Sequence, residues 1–151
     1  MSLYSQDELK MWDTKTRALY EYWLSIHPSE NMLPGRQHMD PIDIPQLLSN
    51  VWLVDIARNP VRFKFRLFGT AHAIAMEQDH TGDWIDEVYP DFTLSSTFPD
   101  YMKLYENGIP SHRRGPASFH IPDYKMIERI MLPLARNGSD VDMILALTVY
   151  L

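Results

Sequence analysis

Residues 33–82 decide the fold of this chain, and they read LPGRQHMDPIDIPQLLSNVWLVDIARNPVRFKFRLFGTAHAIAMEQDHTG. Three prolines within residues 33–45 hold the start of this stretch extended. Asp43 is placed to cap a short helix that has Pro45 in its first turn. The stretch therefore begins with a connection that leads directly into regular structure.

Two strands are predicted next in this stretch. Val51–Ile56 is apolar on both faces apart from Asp55, which is typical of a strand buried on both sides. After a turn at residues 58–60, Val61–Phe68 alternates inward Phe63, Phe65 and Leu67 with basic side chains. A short helix from Thr70 to about Met76 and a glycine turn complete the series.

The second half of the chain predicts one longer helix and three more strands. The helix contains Leu94, Phe98 and Tyr101 and ends at Asn107-Gly108. The strands are predicted at 111–121, 126–134 and 141–151, and Asn137-Gly138 indicates a hairpin between the last two. Two strands thus come first, three come last, and helices lie between them.

The last predicted strand is apolar on both faces, which favours a central position in a sheet. The first strand is nearly as apolar, whereas the second has a basic face that suits solvent. These patterns predict an α+β fold, in which a five-stranded antiparallel sheet has its first and last strands adjacent at the centre. The helices cross one face of this sheet.

An amphipathic helix is predicted at the N-terminus. Ser5 and Glu8 form a capping box, and a stripe of Leu, Trp and Tyr follows at helical spacing until His27-Pro28. This stripe can cover the outer face of the sheet in its own chain or in a second copy. We expect residues 1–32 to form a docking and dimerisation segment and 33–151 the main domain. A homodimer is expected through the stripe residues Leu9, Trp12, Leu19 and Trp23.

Composition excludes several classes of chemistry. The chain has 151 residues, which favours one domain, and it contains no cysteine, so disulfides, thiol nucleophiles and cysteine-containing zinc sites are excluded. A net charge of −6 argues against binding to nucleic acid or to an anionic membrane. No signal peptide or membrane-spanning run is recognisable, so we expect a cytoplasmic protein.

Several short motifs resemble those of a known family. They are Leu33-Pro34, Arg36, Asp40-Pro41, Asp43-Ile44-Pro45, Leu47-Leu48, Phe65-Arg66-Leu67-Phe68-Gly69-Thr70 and Thr81-Gly82. Together with the element order, they resemble the PAS domain, and in particular a stand-alone bacterial subfamily found mostly in alphaproteobacteria. The resemblance covers roughly residues 33–151.

The resemblance implies a sensory or signalling module that binds a small ligand or a protein partner. No kinase, cyclase or DNA-binding segment is recognisable, so we expect the output to act in trans.

In a PAS fold the helices enclose a pocket against one face of the sheet. The resemblance and the predicted inward positions give the candidate lining residues Phe63, Phe65, His72, Met76, Trp84, Phe98, Tyr101, Phe119 and Met131. Aromatic and methionine side chains suit planar or flexible apolar ligands, although most such residues simply fill a core. Arg113 is placed to meet a ligand carboxylate at the pocket mouth, or to keep a strand edge solvated.

The six histidines leave the cofactor unassigned. A haem-binding PAS domain takes its axial ligand from the helical segment, which would nominate His72 or His80. A surface or locally hydrogen-bonded role is favoured for each histidine, and no histidine pair has zinc-site spacing, so no metal residue is assigned. The basic stripe of Arg62, Lys64 and Arg66 is expected to pair with acidic residues of the first helix, namely Asp7, Glu8, Asp13 or Glu21.

Two other functions stay open from the sequence. One is a small enzyme with a cone-shaped α+β fold, in which His72 or His112 acts as a general base in the pocket. The other is a purely structural dimerisation module with a filled core. No nucleophile elbow, phosphate loop or triad is recognisable, which favours the sensory module over the enzyme.

Overall fold

The computed structural model describes residues 3–117 and 126–151. The helices are α1 (Gln6–Met11), α2 (Thr14–Ser25), α3 (Thr70–Ala75), α4 (Ile85–Val88) and α5 (Phe98–Asn107). The strands are β1 (Val51–Ala57), β2 (Arg62–Phe68), β3 (Ser111–Pro116), β4 (Met126–Leu134) and β5 (Met143–Tyr150). Short 3-10 turns occupy Arg36–His38, Pro41–Asp43, Leu48–Asn50 and Phe92–Leu94. Within the described ranges, no helix has the length and apolar character needed to cross a membrane.

The five strands form one antiparallel sheet in the order β2-β1-β5-β4-β3. β5 lies at the centre and pairs with β1 on one side and β4 on the other, as its two apolar faces predicted. The β4–β5 hairpin closes through Asn137, whose side chain accepts the backbone N–H groups of Ser139 and Asp140, and through Gly138 at φ +89°. The predicted fold class and the adjacency of the first and last strands are confirmed.

Side chains of the sheet bury against a different layer on each face. On one face, α3, α4 and α5 cover a core that includes Trp52, Phe65 and Ile144. On the other face, α1 and α2 cover a second core that includes Leu53, Leu132 and Leu145. Successive residues of one strand point to opposite faces, so β1 and β5 contribute to both cores.

The N-terminal segment forms two helices where the sequence predicted one. α1 ends at Met11, Trp12 adopts an extended conformation, and the Asp13 side chain caps α2 by accepting the N–H of Lys15 at 2.8 Å. The backbone N–H of Asp13 donates to the buried Glu128 carboxylate of β4, also at 2.8 Å. In an unbroken helix the Asp13 N–H would donate to a carbonyl of the preceding turn. Because it donates to Glu128 instead, the helix breaks at this point.

All four residues of the predicted dimerisation stripe are buried against the sheet of their own chain: Leu9, Trp12, Leu19 and Trp23. The indole N–H of Trp23 donates to the carbonyl of Pro133 at 2.9 Å, which ties α2 to β4. The outer face is therefore covered from within the chain, one of the two arrangements that the pattern left open. The division at residue 32 stays a prediction.

Two local predictions differ from the structure. The pairing of β1 with β2 has a bulge between Leu53 and Val54. The inward and outward positions of β2 therefore change beyond the bulge, so Phe68 is buried, whereas Leu67, which was predicted to point inward, is half exposed. The short helix predicted after Asp43 does not form: residues 45–47 are a turn and Leu48–Asn50 a 3-10 turn. Asp40 instead caps the earlier 3-10 turn Pro41–Asp43, where its side chain accepts the N–H of Ile42. The β3 prediction holds for 111–116, and its remainder falls partly outside the described residues.

Replacing Leu19 with alanine should lower the free energy of unfolding by about 2–5 kcal/mol, because its fully buried side chain would leave a cavity between α2 and the sheet. Leu24→Ala is the matched control on the same helix, since this leucine is more than one third exposed and should lose less than about 1 kcal/mol. Urea unfolding of both variants measures the difference. Equal losses would contradict the packing of α2 against the sheet.

Candidate functional site

A cavity lies between α3, α4 and α5 and the inner face of the sheet. Its wall is formed by Trp52, Phe65, His72, Met76, Ile85, Tyr89, Phe92, Thr97 and Tyr101. The space open to water inside it is about 10 Å³, and a cavity needs roughly 10–15 Å³ to hold one water. A larger molecule can enter only if part of the wall moves, and a macrocycle such as haem does not fit in this conformation.

The structure brings some of the predicted lining residues to this cavity and leaves others elsewhere. Phe65, His72, Met76 and Tyr101 line it, whereas Phe63, Phe98 and Met131 belong to the surrounding core. Trp84 instead lies beneath Arg62 and Lys64 of β2, with the Arg62 guanidinium carbon 4.1 Å from its ring centre. Phe119 lies outside the described residues.

Sequence reasoning missed five lining residues, which are Trp52, Ile85, Tyr89, Phe92 and Thr97. A signal for Trp52 was present, because it shares the inward face of β1 with Val54 and Ile56. Phe92 and Thr97 lie in an irregular segment and at the cap of α5, where no periodicity marks the inward side. Their positions depend on how the chain crosses the sheet.

His72 is a buried histidine in the cavity wall. Its ring stacks on Trp52 at 5.1 Å with an interplanar angle of 5°, and its Nδ1 is hydrogen-bonded to the Tyr150 hydroxyl. α3 carries this side chain, and Gly69 starts the helix in close contact with the backbone carbonyl of Leu48, where a Cβ would lie 2.3 Å from the oxygen. His72 is thereby held between α3 and β5.

A hydrogen-bonded chain leads from the cavity wall through the sheet to α2. The indole N–H of Trp52 donates to the Thr148 hydroxyl at 3.0 Å. The Asn50 side-chain amide donates to the Thr148 carbonyl at 2.9 Å, and its oxygen accepts from the Lys15 ammonium at 3.1 Å. Lys15 belongs to the first turn of α2, so one wall residue is linked to the outer layer.

A polar network lies behind the cavity wall, between α5 and the strands β3 and β4. Buried Arg129 donates to the hydroxyls of Thr97 at 2.8 Å and Ser111 at 3.0 Å, and to the Asp100 carboxylate at 3.2 Å. Arg113 binds the same carboxylate at 2.8 Å, so the predicted ligand-contacting arginine is held by a residue of its own chain. Burial lowers the pKa of Arg129 and raises that of Tyr101, which neighbours it, so the phenol stays neutral.

A second buried charged cluster lies on the outer face of the sheet. Glu128 is fully buried, and besides the Asp13 N–H it has Arg114 Nη1 at 3.5 Å and His112 Nε2 at 3.8 Å. The His112 ring stacks on Trp12 at 4.0 Å. His112 therefore lies on the face opposite the cavity, and of the two histidines considered as a general base only His72 borders the pocket.

The expected pairing of the basic stripe with the first helix is wrong. Arg62 pairs with Asp86 of α4 at 2.7 Å and lowers the pKa of that carboxyl, while Arg66 reaches Asp55 at 4.0 Å. The reason is the sheet order: β2 is an edge strand next to α4, whereas α2 packs on β4 and β5.

His80 makes a contact of 3.3 Å with Asp83, close to Phe65 and Phe68. In the described part of the chain, no three acidic or histidine side chains converge on a point that could hold a metal ion.

An open depression of about 520 Å³ lies elsewhere, at the C-terminal end of α2 and α5. Its exposed apolar side chains include Leu3, Leu24, Met32 and Ile109, and they are mixed with polar residues of the loop at 29–31. The depression is larger than the cavity but lies on the surface, outside the enclosed space formed by α3–α5. The enclosed cavity is therefore the candidate site.

The sheet order, the helices across one face and the enclosed aromatic cavity define a class of sensory and signalling modules. A family model described as PAS domain matches residues 11–91, which is more than half of the chain, and the chain belongs to this family. A search of curated proteins finds no match. The narrower assignment to a stand-alone alphaproteobacterial subfamily stays a prediction.

The stability of the protein should depend on His112 between neutral and mildly acidic pH. Burial lowers the pKa of His112 below its ordinary value, an effect that Glu128 opposes, so the folded state binds fewer protons than the unfolded state over this range. The contribution of neutral His112 to the free energy of unfolding is complete above about pH 6.5, the pKa of histidine in the unfolded state. It is lost as the pH falls below this value towards the lower pKa of the folded state. Urea unfolding at about pH 7.5 and 5 measures the loss.

His112→Gln provides the control, because glutamine does not titrate over this range. The variant should lose less stability than the wild type on acidification, whatever its stability at neutral pH. An identical pH dependence in the two proteins would contradict the prediction.

Proposed function

We propose that this PAS domain is a ligand sensor: a small, mainly apolar molecule occupies the cavity, and its presence alters the docking of α2. The observation that carries the proposal is the continuous chain from Trp52 in the cavity wall through Thr148 and Asn50 to Lys15 of α2. This series of hydrogen bonds connects the cavity to the helical layer on the opposite face of the sheet. A core that is only filled would not require such a connection.

The cavity wall supports entry of a ligand by a local movement. Met76 is the flexible side chain of the wall, with three rotatable bonds and a polarisable sulfur, and it lies at the end of the six-residue helix α3. The next residue, Glu77, has a left-handed backbone at φ +65°. A rotamer change of Met76 at the end of this short helix would widen the cavity while His72 keeps its hydrogen bond to Tyr150 of β5.

The proposed function is not enzymatic. Of the titratable side chains in the wall, His72 is already held by Tyr150 and stacked on Trp52, and the remaining lining is largely apolar and aromatic. A cytoplasmic location and an output that acts in trans on a protein partner remain predictions from the sequence, and α2 is the element that we propose to pass the signal to that partner.

We also propose that the chain forms a homodimer. Because Leu9, Trp12, Leu19 and Trp23 are buried in their own chain, a dimer that uses these residues requires the N-terminal segment to leave its own sheet and cover that of a second copy. Sedimentation velocity of the wild type at high micromolar concentration should show a dimer. A monomer under those conditions would overturn this proposal and leave the sensor proposal intact.

A thermal-shift screen of small aromatic and aliphatic molecules tests the sensor proposal. Binding molecules should raise the melting temperature of the wild type, since a ligand that binds only the folded state stabilises it. Phe92→Trp adds ring volume to the cavity wall and should abolish the response. Leu94→Trp is the matched control two residues away, because Leu94 is 85% exposed and its replacement should leave the response unchanged.

Transmission is measured on the same complexes by amide chemical shifts. A bound molecule should shift the resonances of Trp52 and of the α2 residues near Lys15. In Thr148→Val, which removes the hydroxyl that accepts from Trp52, the α2 shifts should shrink while the cavity shifts persist. A screen without any cavity-dependent binder, or α2 shifts unaffected by this variant, would count against the proposed sensor.

A further inference from the structure

The polar network behind the cavity carries a surplus of positive charge. Among the described residues of the network, the two guanidiniums of Arg113 and Arg129 share one carboxylate, that of Asp100. Tyr101 and Thr97, which also line the cavity, are neutral. The described residues of this network thus hold one more positive than negative charge. Part of this charge is solvated at Arg113, whose side chain is 33% exposed, and the rest is buried at Arg129.

Arg129 is the group that holds this charge closest to the cavity. Only 5% of the residue is exposed, and its Nε has no hydrogen-bond partner among the residues that the structure describes. Its Nη1 donates to Thr97, a wall residue of the cavity, at 2.8 Å. A buried donor without an acceptor costs free energy, so this guanidinium is under-paired, and Nη1 is the nitrogen that reaches the cavity wall.

We propose that the cavity takes a small aromatic carboxylate, whose ring lies among Trp52, Phe65 and Phe92 and whose carboxylate pairs with Arg129 beside Thr97. The proposal rests on the sensor function and names its ligand class. Entry requires the carboxylate to replace the Thr97 hydroxyl as a partner of Arg129, which exchanges a neutral acceptor for a charged one. Charge-assisted hydrogen bonds are the stronger of the two.

The geometry favours a singly charged carboxylate over other ligand classes. A carboxylate oxygen in the place of the Thr97 hydroxyl would accept a charge-assisted hydrogen bond from Nη1, while Nη2 keeps Asp100 and Ser111. A neutral aromatic molecule would fill the apolar part and leave the surplus charge unpaired, whereas a dianion would exceed the single charge available. The faces of the surrounding rings suit a flat apolar body.

Isothermal titration of the wild type with benzoate, and with benzamide as its neutral counterpart of similar shape, tests the proposal. Benzoate should bind and benzamide should bind at least about tenfold more weakly, as expected when one charged hydrogen bond is lost. Arg129→Gln should weaken benzoate by roughly the same factor and weaken benzamide by less, because the neutral amide loses a hydrogen bond but no ion pair. Arg17→Gln changes the net charge equally at an exposed helical site and should have no effect.

Asp100→Asn provides an independent variant with the opposite expected result. It removes the carboxylate that competes for both arginines, and so it should tighten benzoate binding several-fold and leave benzamide unchanged. This outcome keeps the proposal testable if Arg129→Gln does not fold, since Asp100 is partly exposed and its amide retains the shape of the side chain.

The results separate this proposal from the sensor function. Benzoate binding that responds to Arg129 and Asp100 in opposite directions supports both. Neutral molecules that bind in the cavity-filling screen, together with benzoate that binds no better than benzamide, overturn the carboxylate proposal alone. No binding by any aromatic probe or screen molecule overturns both.

Discussion

The rest of the structure depends on the burial of β5 on both of its faces. Leu145 and Leu147 face one layer while Ile144 and Ala146 face the other, and all four are fully buried. Burying a leucine or isoleucine side chain contributes about 1.5–3 kcal/mol, so neither face can be left to water. The central strand therefore requires two covering layers, and α1–α2 and α3–α5 are those layers.

This constraint makes the sheet a connection between the layers as well as a support for them. Adjacent residues of one strand belong to opposite cores, so a side chain displaced on the cavity side has a backbone neighbour on the α2 side. Thr148 contacts both layers. Its hydroxyl accepts a hydrogen bond from the cavity residue Trp52, and its carbonyl accepts one from Asn50, which binds Lys15 of α2. Covering both faces creates the path that the sensor proposal uses.

The sheet could be predicted from the sequence because its signals are local. Two-sided apolarity identified β1 and β5 as central, and alternation identified β2 as an edge. What could not be predicted comes from distant partners. The break after α1 depends on Glu128, 115 residues away from Asp13, and the bulge that turns Phe68 inward depends on the register with β1. The cavity residue Phe92 lies in a single 3-10 turn and Thr97 at the cap of α5, too short a context for periodicity to mark an inward side.

β4 shows why two adjacent charges occur in an otherwise apolar strand. Glu128 and Arg129 point to opposite faces, and each is buried with partners from a different layer. Glu128 anchors the N-terminal segment through Asp13, Arg114 and His112. Arg129 shares its only described carboxylate with a second arginine and keeps one donor unused. The Glu128 carboxylate thus holds the N-terminal helices on one face of the strand. The Arg129 guanidinium lies on the other face, next to the cavity, where the proposed ligand carboxylate would bind it.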